Sequence, residues 1–409
     1  MKINMIKYIK RLIWATFFIF LGLVGVGYYN GMRLNNYQEF ISTVISKISK
    51  KEVEPTDRKK DKIKTTKNEN QPKDKKVDTF EHKLQPAPKN PFAKIDRYAR
   101  QCPKSAEESL ESLSNYLQVG TGSDLDKARA IFVWLTENIV YDDDSFNSGR
   151  NGDNSAEGVL ASKKAVCEGF SNLFLALGQR MGLEIEKVVG YAKGYGYSPG
   201  MKFKETDHAW NTIKIDGKWR IFDATWGQGN GENVNGKLKS KKEFDEYWFN
   251  VDPFEAIFNH FPQDSEHSFV QPSLSLSRYE KFPNIDKGYF EIGFSGKETY
   301  KNVSAEMSSK FPQCFKLGTF VQMYAAPKKE NILMNESQKF EFFIPRGFSV
   351  AIIDGDDNWT YFDKEKGKFR LEYIPKTEGE LQIGVKFENG GDSYHTILIY
   401  EVVKQRESI

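Results

Sequence analysis

The 409-residue chain predicts an α+β domain followed by an all-β sandwich, both carried behind an apolar N-terminal helix. Three observations predict this. Helical periodicity fills the stretch from about Pro91 to Gly182 and then gives way to strand-like runs. Beyond about Phe282, short apolar or aromatic runs follow one another between turns, with no helical pattern among them. Near the N-terminus, the run from Leu12 to Tyr29 holds no charged residue. With 39% hydrophobic and 14% aromatic residues, a chain of this length can bury more than one core.

The N-terminal elements come first. Residues 1–11 form a basic flank with Lys2, Lys7, Lys10 and Arg11, and residues 12–29 form the apolar run. That run is close to the roughly 20 residues that cross a bilayer, which favours a transmembrane anchor over a short signal-peptide core. Cleavage near Gly25 or Gly27 is the alternative, but no Ala-x-Ala site or lipobox-like cysteine accompanies it. The basic flank places the N-terminus in the cytoplasm and the rest outside, so the expected protein is single-pass with extracytoplasmic folded domains. Lysines beyond the run, such as Lys47, Lys50 and Lys51, oppose this orientation, though most lie too far from the helix to weigh heavily. Residues 30–90 read as a flexible charged tether, rich in Lys, Glu, Asp, Asn, Thr and Pro from about Ser46. Acidic residues interrupt its lysines, and the flank and tether together supply the net charge of +3. The folded part is therefore mildly acidic, and no nucleic-acid partner is expected.

The first folded domain is expected over residues 91–281. Helices are predicted in AKIDRYARQC, in SAEESLESLSNYLQ and in SDLDKARAIFVWLTENIVYD. In the last of these Asp124 is the expected N-cap, while Ile131, Trp134, Leu135 and Ile139 recur at helical spacing toward a core. The acidic run Asp142–Asp144 lacks the glycine and terminal glutamate of an EF-hand loop and reads as a solvated helix exit.

Cys167, in AVCEGFSNLFLALGQRMG, opens an amphipathic helix. A helix start gathers unpaired N–H groups and the positive end of the macrodipole, a setting that favours a thiolate and can hold an oxyanion. Downstream, DHAWNTIKIDGKWRIFDATWG reads as a β-hairpin, with His208 and Asp223 at equivalent places on its strands. Alternation through Asn211, Ile213 and Ile215, then Trp219, Ile221 and Asp223, assigns these residues to one face. In that geometry Cys167 attacks an acyl carbon, His208 takes and returns the proton, and Asp223 orients the imidazole. A free cysteine is often simply a small buried apolar group, so the joint occurrence of the three residues is what points to catalysis.

The same three side-chain types bind zinc, but close Cys-x-x-Cys or His-x-x-x-His pairs are missing, and no metal or cofactor is expected. His260 and His267, in a segment rich in Phe and Pro, read as structural. His82 falls in the tether and His395 in a C-terminal strand. Cys102 and Cys314 lie in different predicted domains and are expected unpaired. The loop Gly194–Tyr197 borders the site, either as a mobile wall or as a plain hairpin connection. Trp210 and Trp226 either shield the site or fill the core.

Residues 282–409 carry the runs YFEIGF, KLGTFVQMYA, KFEFFIP, FSVAIID, FRLEYIP, LQIGVKF and YHTILIYEV, read as strands of an immunoglobulin-like sandwich. No triad-like set occurs there, so the module is expected to pack or recognise. Asp354–Asp357 reads as a turn.

The motifs AVCEGFS, DHAWN and FDATW, in this order, resemble the transglutaminase-like superfamily, whose papain-like core carries a Cys-His-Asp triad. DKARAIFVWLTENIVYDDDSF before the cysteine and EYWFNVDPFEAIFNHFPQDSEHSFVQP after the aspartate extend the likeness, over roughly Ile95 to Pro283, to the kyphoscoliosis peptidase branch. The resemblance implies Cys167 as nucleophile, His208 as base and Asp223 as orienting carboxylate, acting on a protein or peptide substrate. Water as acceptor gives a peptidase or deamidase and a lysine amine gives a cross-link. The branch's name favours hydrolysis. A non-catalytic interaction protein is the alternative, and oligomeric state is not legible.

Overall fold

The computed structural model describes residues 90–405, apart from 151, 308–309, 316–319, 346 and 388–392. The expected flank, membrane anchor and nearly all of the tether lie outside the described residues. Among the described residues no helix is long and apolar enough to cross a membrane.

The helix Cys167–Arg180 packs on a four-stranded antiparallel sheet ordered Lys218–Phe222, His208–Ile215, Ile185–Ala192 and His260–Pro262. Helices Ala93–Arg100, Leu110–Gln118 and Asp124–Asn138 complete this layer, and Leu113, Trp134, Phe174, Ile213 and Phe222 meet in its core. The local chemistry differs from expectation at three points. The predicted helix in SAEESLESLSNYLQ breaks at Ser109, which is extended and forms a reciprocal capping box with Ser112. Ser123, not Asp124, caps the next helix, because its hydroxyl accepts from the Asp126 amide while Asp124 pairs with Lys127. The acidic run is a helix entry and not an exit: Asp142 caps Asp143–Ser148, and the Asp143 carboxylate accepts from the Ser240 amide.

Arg129 is fully buried in the Asp124–Asn138 helix and donates to both oxygens of Asp96, at 2.7 and 2.9 Å. The rings of Phe92 and Phe249 lie 5.0 and 4.8 Å from its guanidinium. Asp96→Ala removes the anion and leaves the cation buried, so we expect a loss of about 3–5 kcal/mol in stability, measured by urea unfolding. An unchanged unfolding midpoint would show the pair to be dispensable.

The hairpin turns at Asp216–Gly217, both at positive φ (49° and 76°), the backbone of a two-residue primed turn. This turn sets the pairs Ile215–Lys218, Ile213–Arg220 and Asn211–Phe222. The expected face assignment is therefore shifted by one residue. Asn211, Ile213 and Ile215 share a face with Phe222, while His208, Trp210 and Thr212 share theirs with Ile221, and with Asp223 by the two-residue period.

Toward the C-terminus two sheets enclose one core, which supports the expected all-β region. One runs Gln322–Ala325, Gln338–Phe343, Lys368–Tyr373, Asp363–Glu365; the other runs Asn331–Leu333, His395–Val403, Gly379–Phe387, Gly347–Ile353, Trp359–Tyr361. Their core includes Phe340, Val350, Ile383 and Leu398 and reaches back to Ile257, Phe258 and Tyr279, across the expected boundary at residue 282. The run YFEIGF is not a strand. Asp286 caps a short helix at Lys287–Glu291 by accepting from the Gly288 amide, and Ser295 caps Gly296–Ala305. Alternating burial of Phe290, Ile292 and Phe294 imitates a strand, but the caps turn the chain instead.

Candidate active site

Cys167 is the first residue of its helix and half-buried. Val166 stands at the N-cap without a side-chain hydrogen bond, so the first-turn amides have neither an intrahelical acceptor nor a capping oxygen. Parallel pairing of Val140–Tyr141 with Lys164–Ala165 holds the chain just before the cysteine. Gly169 allows close approach one turn in, since a β-carbon there would lie 2.7 Å from that of Ala165. His208 opens the central strand within side-chain reach of Cys167. Its Nε2 lies 2.7 Å from Asp223 Oδ2.

Asp223 is fully buried and caps the helix Ala224–Gln228, its Oδ1 accepting from the Trp226 amide at 3.0 Å. The three residues singled out from sequence thus come together, and a fourth joins them. His260 Nε2 lies 2.9 Å from the same Asp223 Oδ2. His260 pairs with Ala192 across the sheet, and nothing local in IFNHFP marks it as a site residue. Its position comes from a strand pairing that only the folded chain defines. Gly190 permits that pairing, as a β-carbon there would fall 2.3 Å from the Phe261 carbonyl oxygen.

The electrostatics follow from this arrangement. Burial alone would raise the Asp223 pKa, but the His208 and His260 hydrogen bonds and charges outweigh it and hold the carboxyl well below its usual range. Burial pulls the His208 pKa down, yet Asp223 and Cys167 push it above the usual histidine value. For His260 burial wins and the pKa falls.

His208, Asp223 and His260 are the group of metal-ligand types that converges among the described residues, with donor atoms within 4.8 Å. Both imidazole nitrogens meet one carboxylate oxygen at hydrogen-bond length. Ligands around a common zinc ion at about 2.0–2.1 Å stand farther apart, over 3 Å for a tetrahedral site. The geometry is that of hydrogen bonds and not of a coordination sphere.

A cleft of about 660 Å³ opens over Cys167 and His208. Phe146 and Tyr195 meet edge to face at its wall, 5.9 Å between centroids, and both are exposed. The Gly194–Tyr197 loop is more than a hairpin turn. At its start, buried Lys193 donates to the carbonyls of Tyr279 and Phe282, at 2.9 and 2.6 Å, and burial brings its pKa down to about 7. Gly194 packs on Trp226, whose Cζ2 lies 2.6 Å from where a β-carbon would stand. Trp210 is buried beside the imidazoles, while Trp226 also lines the cleft. His267 pairs with Glu186 at 2.7 Å, outside this group. Cys102 and Cys314 are free thiols.

Residues 111–224 match the family described as the transglutaminase-like superfamily. The chain is 31% identical over 310 residues to kyphoscoliosis peptidase of Mus musculus and 26% over 313 residues to that of Homo sapiens. Each match covers 76% of this chain and 42% of the relative, so the chain spans about two-fifths of those proteins. The Lim and transglutaminase domain protein ltd-1 of Caenorhabditis elegans is 30% identical over 219 residues, covering 50% of this chain and 29% of that protein. The chain carries a transglutaminase-like domain and is similar to the kyphoscoliosis peptidases.

Proposed function

We propose that the protein is a thiol acyl-transfer enzyme acting on protein or peptide substrates, with Cys167 as nucleophile, His208 as general base and acid, and Asp223 as orienting carboxylate. The observation that carries this reading is the 2.7 Å contact of His208 with buried Asp223 beside a cysteine that starts a helix. Cys167 Sγ attacks an amide carbonyl as its proton passes to His208. The tetrahedral oxyanion forms near the first-turn amides, His208 returns the proton to the departing amine, and a thioester remains. Water then releases the acid, whereas a lysine amine forms a cross-link. Hydrolysis is the favoured outcome, in keeping with the name of the peptidase relatives.

The C-terminal sheets form an immunoglobulin-like recognition module in this reading. The apolar run Leu12–Tyr29 anchors the chain in a membrane with the folded part outside.

Incubating the full chain with a glutamine-containing peptide mixture and a primary amine, read by intact-mass spectrometry, tests the proposal. Cleavage or a one-dalton deamidation shift that requires Cys167 is expected. Amine incorporation would instead mark transglutaminase chemistry. If no acyl-enzyme forms with any donor while Cys167 still reacts with an alkylating probe, the protein is an interaction module.

A further inference from the structure

We propose that His260 is a positioning residue, sharing the Asp223 carboxylate with His208 so as to restrain how tightly that carboxylate holds the His208 proton. The inference rests on the thiol acyl-transfer reading above.

Three observations lead to it. First, both imidazole Nε2 atoms meet one oxygen, Asp223 Oδ2, while Oδ1 is taken by the Trp226 amide. Two donors on one oxygen each face a weaker acceptor than either would alone. Second, His260 is 1% exposed and its Nδ1 has no hydrogen-bond partner among the described residues. A buried unpaired nitrogen is unfavourable, and a phenyl ring would avoid that cost in a pocket made of Trp210, Trp226 and Trp248, 5.1, 4.5 and 5.1 Å away. The imidazole is therefore kept for its one bond to Asp223. Third, among the described residues Asp223 and His208 are the charged groups that act on His260, and burial favours its neutral form. A neutral ring donating from Nε2 withdraws charge from the carboxylate without adding a positive charge beside His208.

The consequence lies in the second half of each acyl transfer. His208 must give back the proton it takes from Cys167, and a base works best when its pKa is near the working pH. Cys167, Asp223 and the neighbouring Asp207 all act on His208, and each favours its protonated form. His260 opposes them through the shared oxygen.

The test alkylates the full-length chain with iodoacetate across pH, reading modification of Cys167 by peptide mass. An anionic reagent reacts fastest while His208 is a cation, so the alkaline limb of the profile reports loss of the His208 proton and needs no substrate. In His260→Phe that limb is expected to move up by about half to one pH unit, and turnover at pH 7 to fall about ten- to a hundredfold, the usual scale for groups that orient a site ligand. His260→Gln, which can still donate an amide proton, should restore the parent limb. A limb that stays in place or moves down in folded His260→Phe overturns the proposal. If His260→Phe does not fold, the ¹⁵N shifts of His260 in the parent decide. A proton on Nε2 with a bare Nδ1 supports the role, and a proton on Nδ1 overturns it. A limb shift without turnover of any acyl donor would remove the enzymatic reading while keeping the shared carboxylate.

Discussion

Cys167→Ala is expected to end the proposed acyl transfer while the chain stays folded. Cys167 is only half-buried and occupies the first turn of its helix, where alanine continues the backbone without strain. The loss is expected to reach about six orders of magnitude, since removal of a nucleophile disables the whole triad. Neither remaining thiol can replace it. Burial pushes the Cys102 thiol up to about 11, and Cys314 is raised further by the same cause. Intact-mass detection of the acyl-enzyme, with a thermal melt on the same sample, checks both halves. A variant as active as the parent would remove the proposed chemistry.

Asp223→Asn should lower turnover by about four orders of magnitude, because an amide has one accepting oxygen: with that oxygen kept on the Trp226 amide, its NH2 faces both imidazoles and turns His208 to the wrong tautomer. It should also destabilise the fold by about 3–5 kcal/mol, since His208 is left buried without its anion. The pH dependence gives this effect a shape. The Asp223 carboxyl is lowered in the folded chain, so its contribution is present above the ordinary carboxylate value of about 4 and is lost as pH falls through the folded value. His208 is raised, so its contribution is full below the ordinary histidine value of about 6.5 and is lost as pH rises through the folded value. The stability gap between parent and variant should therefore be widest between about pH 4 and 6.5 and narrow on either side, as measured by urea unfolding at several pH values. A gap independent of pH would mean that the pair is not ionised as described.

The same residues show how far local pattern reaches. Cys167 at a helix start, the Asp216–Gly217 turn and the His208 strand are written in short-range features: helical spacing, a primed-turn dipeptide and alternation. The face of the hairpin is not legible locally, because a one-residue choice in the turn register moves every side chain to the other side. YFEIGF misled for a related reason. Its apolar residues alternate, and the alternation survives in the burial of Phe290, Ile292 and Phe294, but capping by Asp286 and Ser295 decided the backbone.

By itself the sequence determined the class of the fold, its main helices and the site hairpin, and the three residues whose types suit acyl transfer. Those depend on neighbours within one turn or one hairpin. The tertiary structure decided which strand lies beside Ile185–Ala192, and with it that His260 reaches Asp223. It also decided that the core of the C-terminal sheets extends back to Ile257 and that Lys193 pins the cleft wall to Tyr279 and Phe282. The physical reason is common to all three. Strand pairing, core closure and a lysine on backbone carbonyls join residues tens of positions apart through backbone groups and apolar surface that any suitable segment can supply, so no local pattern names the partner.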